Sequence, residues 1–182
     1  MKYSIDWLQS EIEKSKHFDY LFFWGHTPKR EGVIDKSCFS QWYPSTFVVD
    51  EITYATAEHW MMAKKALLFN DEEIFQKIIA TEKPAVVKAL GREVRNFDAD
   101  IWNAFAYALV VEGNQHKFSQ DEELRQFLLY TGDKVIVEAS PADVIWGIGL
   151  SQDASEASNP FQWKGTNLLG FALMEVRDYL KM

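Results

Sequence analysis

Apolar positions recur along this chain at two periods, and polar residues mark where each run starts. Between Ser4 and Lys16, Ile5, Leu8 and Ile12 fall at spacings of three and four, which predicts a short amphipathic helix. Tyr20-Leu-Phe-Phe-Trp24 is a short, continuous aromatic run suited to a buried strand. Gly25 to Lys36 is polar, carries Pro28 and Gly32, and reads as a loop. Phe47-Val-Val49 and Ile52-Thr-Tyr54 flank Asp50-Glu51, so a hairpin with a two-residue connection is expected. Thr56 is a good N-cap, and Ala57 to Leu68 follows it without Gly or Pro. Two shorter helices are expected over Asp71 to Ala80 and Pro84 to Gly91, with Pro84 at a first helical position and Gly91 as a terminal cap. A long helix starts at Asp98 or Asp100, its inward stripe formed by Trp102, Phe105, Ala106, Leu109 and Val110. Asp121 to Tyr130 is a further helix with Leu124, Phe127 and Leu128 inward, and Val135-Ile-Val137 is a strand. Pro141 to Lys164 has turn signals and little periodicity, the signature of a long functional loop. Asn167 to Leu180 closes the chain as a helix. The pattern predicts a mainly α, compact multi-helix single domain with a few short β-strands. It lacks the βαβ alternation of a doubly wound nucleotide-binding sheet.

Composition narrows the function classes. The 182 residues are 47% hydrophobic and 25% charged, enough for a core that needs neither disulfides nor a structural metal. A net charge of −8 argues against stable nucleic-acid binding and against a membrane surface, yet leaves room for a local basic pocket. The single Cys38 excludes a disulfide scaffold within the chain and reads as a buried small hydrophobe. No apolar run approaches the roughly 18 residues of a membrane span, and the N-terminus lacks an apolar signal core, so a cytoplasmic protein is expected. Phosphate-cradling glycine loops, HExxH and GxSxG are all missing. His17, His26, His59 and His116 are scattered, so neither a metal nor a cofactor is expected. Aromatics reach 15%, including seven Trp. Carboxylates among aromatic rings suit acid–base work on a flat, ring-bearing substrate.

Two segments bring such groups together. With Thr56 as N-cap, Glu58 occupies the second helical position, and Met61, Met62 and Lys65 share its face. The ordinary reading of Glu58 is an acid gaining about 0.3–1 kcal/mol at a helix start. Asp143 follows Pro141 and precedes Ile145-Trp-Gly-Ile-Gly149. It is an ordinary turn residue by position, but a glycine pair beside a Trp lets backbone and ring approach a ligand closely. Core packing is the default for Trp102. Lys88, Arg92 and Arg95 form a positive group that is either a solvated face or a phosphate site.

The order and spacing of several stretches resemble the YbiA-like, or NADAR, family. They are Phe39-Ser-Gln-Trp42, the run from Thr56 to Lys65, Gly91-Arg92, Trp102, His116-Lys-Phe118, Leu128-Leu129 with Thr131, Val137-Glu138, Asp143 with Trp146-Gly-Ile-Gly149, and Asn167-Leu-Leu-Gly170 before Met174 and Arg177. The resemblance spans roughly residues 20 to 180. It sets residues 1–17 apart as an N-terminal helical extension and 18–182 as the domain. It implies a mainly helical fold and hydrolysis of N-glycosidic bonds on phosphoribosyl-type substrates. These are riboflavin-pathway intermediates in which a pyrimidine amine is joined to ribose 5-phosphate, which is released. Other members remove ADP-ribose from guanine. Carried over, Glu58, Trp102, Asp143 and Trp146 line the pocket; Glu58 and Asp143 are the catalytic candidates, one activating water (Glu58 the first choice) and the other binding ribose hydroxyls or helping the leaving group. Trp102, Trp146, Gly147, Lys65, Arg92 and Asn167 are the substrate-binding candidates, and Lys117 is a further candidate for the phosphate. The chain departs from the family at Gln41, where Asn is frequent, in the long segment between Gly149 and Asn167, and in having Leu168 where some members have Arg. An ADP-ribosyl hydrolase and a noncatalytic ADP-ribose or nucleotide-binding module stay open as alternatives, as does the oligomeric state.

Overall fold

The polar residues that open the helical runs act as caps. In the computed structural model, which describes residues 1–182, Ser4, Thr56, Asp71, Asp98 and Asp121 each accept a hydrogen bond from a backbone N–H of the following turn. They start α1 (Ile5–Glu13), α2 (Ala57–Leu68), α3 (Glu72–Ile79), α5 (Ala99–Ser119) and α6 (Glu122–Tyr130). Pro84 opens α4 (Pro84–Arg92) without a side-chain cap. The last helix, α7 (Leu168–Leu180), follows Asn167, which is held in the left-handed region at φ 55°.

Four strands form two small sheets. β2 (Phe47–Val49) and β3 (Ile52–Tyr54) make the expected antiparallel hairpin, Phe47 opposite Tyr54. Asp50 and Glu51 both take positive φ, the turn whose twist matches the strands, although neither is Gly or Asn. β1 (Tyr20–Phe23) and β4 (Val135–Glu138) pair in parallel, with Tyr20 opposite Val135 and Phe23 opposite Glu138. This pair lies under α7, which packs on β4.

The core is gathered around α5, which lies against both α2 and α7. The Trp60 indole N–H donates to Leu109 O at 2.8 Å, and the side chain is fully buried. A Cβ at Gly113 would come within 2.3 Å of that ring, so glycine sets how closely α2 and α5 approach. Two expectations fail here. Gly91 does not cap α4. It lies inside the helix, with Glu93 at the C-cap, and a Cβ there would stand 2.1 Å from Met62 Sδ. Phe105 does not face inward and is 51% exposed. None of the first seven residues of α5 is buried; Trp102, half-buried, packs against the core from these turns, and full burial begins at Ala106.

α1 rests on the chain near a short 3-10 turn, Pro160–Gln162, through Gln9 Nε2 to Pro160 O at 3.1 Å. Leu8 is fully buried. The long connection over residues 141–164 holds no strand or α-helix. It is fastened by backbone bonds from Lys164 to Ile148 O (3.0 Å), and just beyond by Thr166 to Val144 O and Leu169 to Trp146 O (both 3.1 Å). No helix is long and apolar enough to cross a membrane.

Candidate active site

The first turn of α2, the segment 40–42, the end of α4, the start of α5, the end of β4 and the loop after it surround one cleft of about 740 Å³. Glu58, Glu138 and Asp143 bring three carboxyl groups to it. Trp24, Trp42, Trp102 and Trp146, four of the seven tryptophans, line it as well, as do Lys65, Lys88 and Arg92. Residues 58 and 143, distant in sequence, thus share a site.

The stripe on α2 faces the cleft as the spacing implies: Glu58, Met61, Met62 and Lys65 all line it. The Glu58 N–H donates to Gln41 O at 2.9 Å, which joins the helix start to the 40–42 wall. α5 fixes that wall from behind. Asn114 exchanges side-chain hydrogen bonds with Gln41, and Lys117 Nζ donates to Cys38 O (2.6 Å) and Ser40 O (2.9 Å). Lys117 is therefore not a phosphate ligand. It is fully enclosed, spends its donors on backbone carbonyls, and burial pushes its pKa down to about 8. Cys38 is the packing residue expected; burial pushes its thiol up to about 12.

Glu58 does not behave as an ordinary acid at a helix start. Only 5% of it is exposed, and loss of hydration outweighs the helix field. Burial, with the charge of Asp143 adding to it, pushes the carboxyl up to about 7; Lys88 and a hydrogen bond from the Trp42 side chain oppose the rise.

Glu138 ends β4, and its backbone is held firmly. Its N–H donates to Asn167 Oδ1 (2.9 Å) and its carbonyl accepts from Ile148 N–H (2.9 Å). Burial first, then the charges of Asp143 and Glu58, push its carboxyl up to about 8 against the pull of Lys88. Asp143 keeps its turn role as well: its Oδ1 accepts from the N–H groups of Ile145 (2.9 Å) and Trp146 (2.8 Å), which aims the Trp146 segment.

Two substrate-binding candidates are placed elsewhere. Asn167 is fully buried and spends its side chain on Glu138 N–H and Ile136 O (2.9 Å each), while its own N–H bonds Gly147 O (3.1 Å). It straps β4, the 143–149 loop and α7 together and does not line the cleft. Gly147 is buried behind the lining; a Cβ there would meet Glu138 O at 2.9 Å and Asp143 O at 3.0 Å. Its small size serves loop packing.

The cations at the cleft lack acidic partners. Lys65, Lys88 and Arg92 take part in none of the ion pairs of the structure. Lys65 Nζ donates to Gly91 O at 2.6 Å and lies 4.1 Å from the Phe97 ring centre and 5.6 Å from that of Trp102. Lys88 Nζ stands 5.8 Å from the Trp42 ring centre. Arg95 leaves this group, because Asp71 and Glu73 bind it on another face.

Glu138, Trp42 and Trp24 line the cleft although the sequence does not single them out as site residues. The signals present were Glu138 closing an otherwise apolar strand and the place of Val137-Glu138 and Trp42 among the stretches that carry the resemblance. A second depression, about 840 Å³ between Val33 and Tyr130, has Glu122 and Glu123 but no cation, so it lacks the groups to hold a phosphosugar.

The family model for the NADAR domain matches residues 22–181. An N-glycosidase of Acanthamoeba polyphaga mimivirus is 45% identical over 164 residues, covering 87% of this chain and 95% of that protein. The N-glycosidase YbiA of Escherichia coli is 32% identical over 146 residues, covering 80% and 81%. The NMR structure of the E. coli protein YbiA superposes with a TM-score of 0.70 at 26% identity, over 91% of this chain and 87% of that one.

Proposed function

The chain belongs to the NADAR family, and from that premise we propose that it hydrolyses the N-glycosidic bond of phosphoribosylamino-pyrimidines, releasing ribose 5-phosphate. Its broader class is that of its named relatives: an N-glycosidase, a hydrolase of N-glycosyl compounds. The observation that carries the finer reading is the make-up of the cleft. Three carboxyl groups, unpaired cations and indole rings occupy one cavity, matching a substrate with a reacting anomeric carbon, a phosphate and a flat base.

Breaking the bond builds positive charge on the sugar ring, which a neighbouring carboxylate stabilises. Asp143 supplies that charge. Glu58, raised to about 7, suits the general base that takes a proton from attacking water near neutral pH. Lys88 and Arg92, with Lys65 behind them, attract the phosphate. Trp102 and Trp146 offer ring faces to the pyrimidine and keep water sparse, which strengthens the field of the carboxyl groups.

The test is incubation of purified protein with a pyrimidine phosphoribosylamine and, separately, with ADP-ribosylated guanine. Release of ribose 5-phosphate from the first is expected. Release of ADP-ribose from the second alone, or tight binding with no bond cleavage, refutes the assignment.

A further inference from the structure

The proposed reaction leaves one need unmet. A departing amine nitrogen takes up the bonding electron pair and needs a proton, while Glu58 is engaged with water and Asp143 with the sugar charge. Glu138 is the unused carboxyl of the cleft. It is largely buried, and its Oε2 is shut off from solvent with no hydrogen-bond partner. A carboxylate oxygen left so would be costly, whereas a neutral carboxylic acid fits there. Asp143, by contrast, receives two hydrogen bonds from backbone N–H groups, the arrangement of an acceptor, and neither oxygen of Glu58 is shut off from solvent without a partner.

We propose that Glu138 is a third catalytic residue, the general acid that protonates the leaving nitrogen. The C–N bond breaks with its electron pair passing to nitrogen, and nitrogen takes the proton of the Glu138 carboxyl. Water bonds to the anomeric carbon and gives its proton to Glu58. One water is consumed; Glu138 ends ionised and Glu58 protonated, and exchange with solvent resets both. Asn167 is a positioning residue for this step, because it holds the Glu138 N–H and the carbonyl of Ile136 two residues earlier. The rise of the Glu138 carboxyl to about 8 keeps it protonated at neutral pH. The charged groups that act on it are Asp143 from the loop, Lys88 from α4 and Glu58 from α2; His26, Lys65 and Arg92 line the same cleft.

This inference rests on the N-glycosidase reading, and one set of rates separates the two. The wild-type rate on a pyrimidine phosphoribosylamine is measured from pH 5 to 10, alongside Glu138→Gln. For the wild type, kcat/KM is expected to fall above about pH 8. Glu138→Gln is expected to lower kcat by about 10²–10⁴-fold, to move KM much less, and to abolish the alkaline fall. A Gln variant with wild-type kcat, or one that is slow but keeps the wild-type alkaline limb, overturns the assignment. So does a wild-type profile flat above pH 8, which needs no variant to fold. A wild type that releases no sugar phosphate refutes the substrate assignment itself.

Discussion

Replacing Glu58 with Gln should make the protein slower and, at alkaline pH, more stable. Folding moves this carboxyl from an ordinary 4.5 to about 7. Each pH unit of such a rise is worth about 1.4 kcal/mol, so the folded state with Glu58 ionised is penalised by roughly 3 kcal/mol. The sign follows from proton counting. Between pH 4.5 and 7 the folded chain holds a proton that the unfolded chain has lost, so stability falls as pH rises through that window and levels off above it. Below pH 4.5 both states are protonated and the penalty vanishes. Gln has nearly the same shape and cannot ionise. Urea unfolding at pH 4.5 and pH 8.5 therefore should show the variant close to wild type at the lower pH and ahead by about 2–3 kcal/mol at the higher. Turnover at pH 7.5 should drop by about 10²–10⁴-fold. A stability difference independent of pH would refute the buried-acid reasoning, and wild-type turnover would remove Glu58 from catalysis.

Three further outcomes are expected. Gly170→Ala places a Cβ 2.1 Å from the Ile136 carbonyl oxygen on β4; backbone atoms cannot step aside, so the loss should be about 2 kcal/mol or more despite the helix preference of Ala, and a raised Tm would contradict it. Asn167→Ala strips partners from two buried backbone groups and should cost about 2–4 kcal/mol by chemical denaturation while lowering kcat more than it raises KM; a selective rise in KM would return Asn167 to direct substrate binding. Lys88→Ala combined with Arg92→Ala should raise KM for the phosphorylated substrate by about tenfold or more and weaken its salt dependence; an unchanged KM would place the phosphate elsewhere.

What was legible in the sequence was local. Thr56, Asp71, Asp98 and Asp121 mark helix starts because a cap acts within one turn. The Glu58–Lys65 stripe was readable because α-helical geometry alone puts those residues on one face. Pairings across the chain were not. Nothing in Tyr20–Phe23 or Val135–Glu138 names a parallel partner, since both runs are almost continuously apolar and show no alternation that would assign their faces. Lys117 misled for a related reason: in sequence a lysine reads as a free cation open to a phosphate, and only the carbonyls of Cys38 and Ser40 explain it inside. Glu138 depended on tertiary placement, because whether a strand-end acid meets solvent or a cleft is decided by the loop folded over it. Gly147 and Asn167 lie in the stretches that carry the family resemblance, yet they shape the backbone behind the cleft wall.

The two sides of the cleft differ in how they are supported. Glu58 and Glu138 stand on elements fastened to the interior, whereas Trp102 rides on the first turns of α5, where no residue is buried. On the proposed roles, the acids are anchored while the ring set against the base is carried by the least enclosed turns of its helix. Substitutions along those turns are therefore expected to change which heterocycle is accepted before they disturb bond breaking, a division of labour that would let one scaffold diversify its clientele.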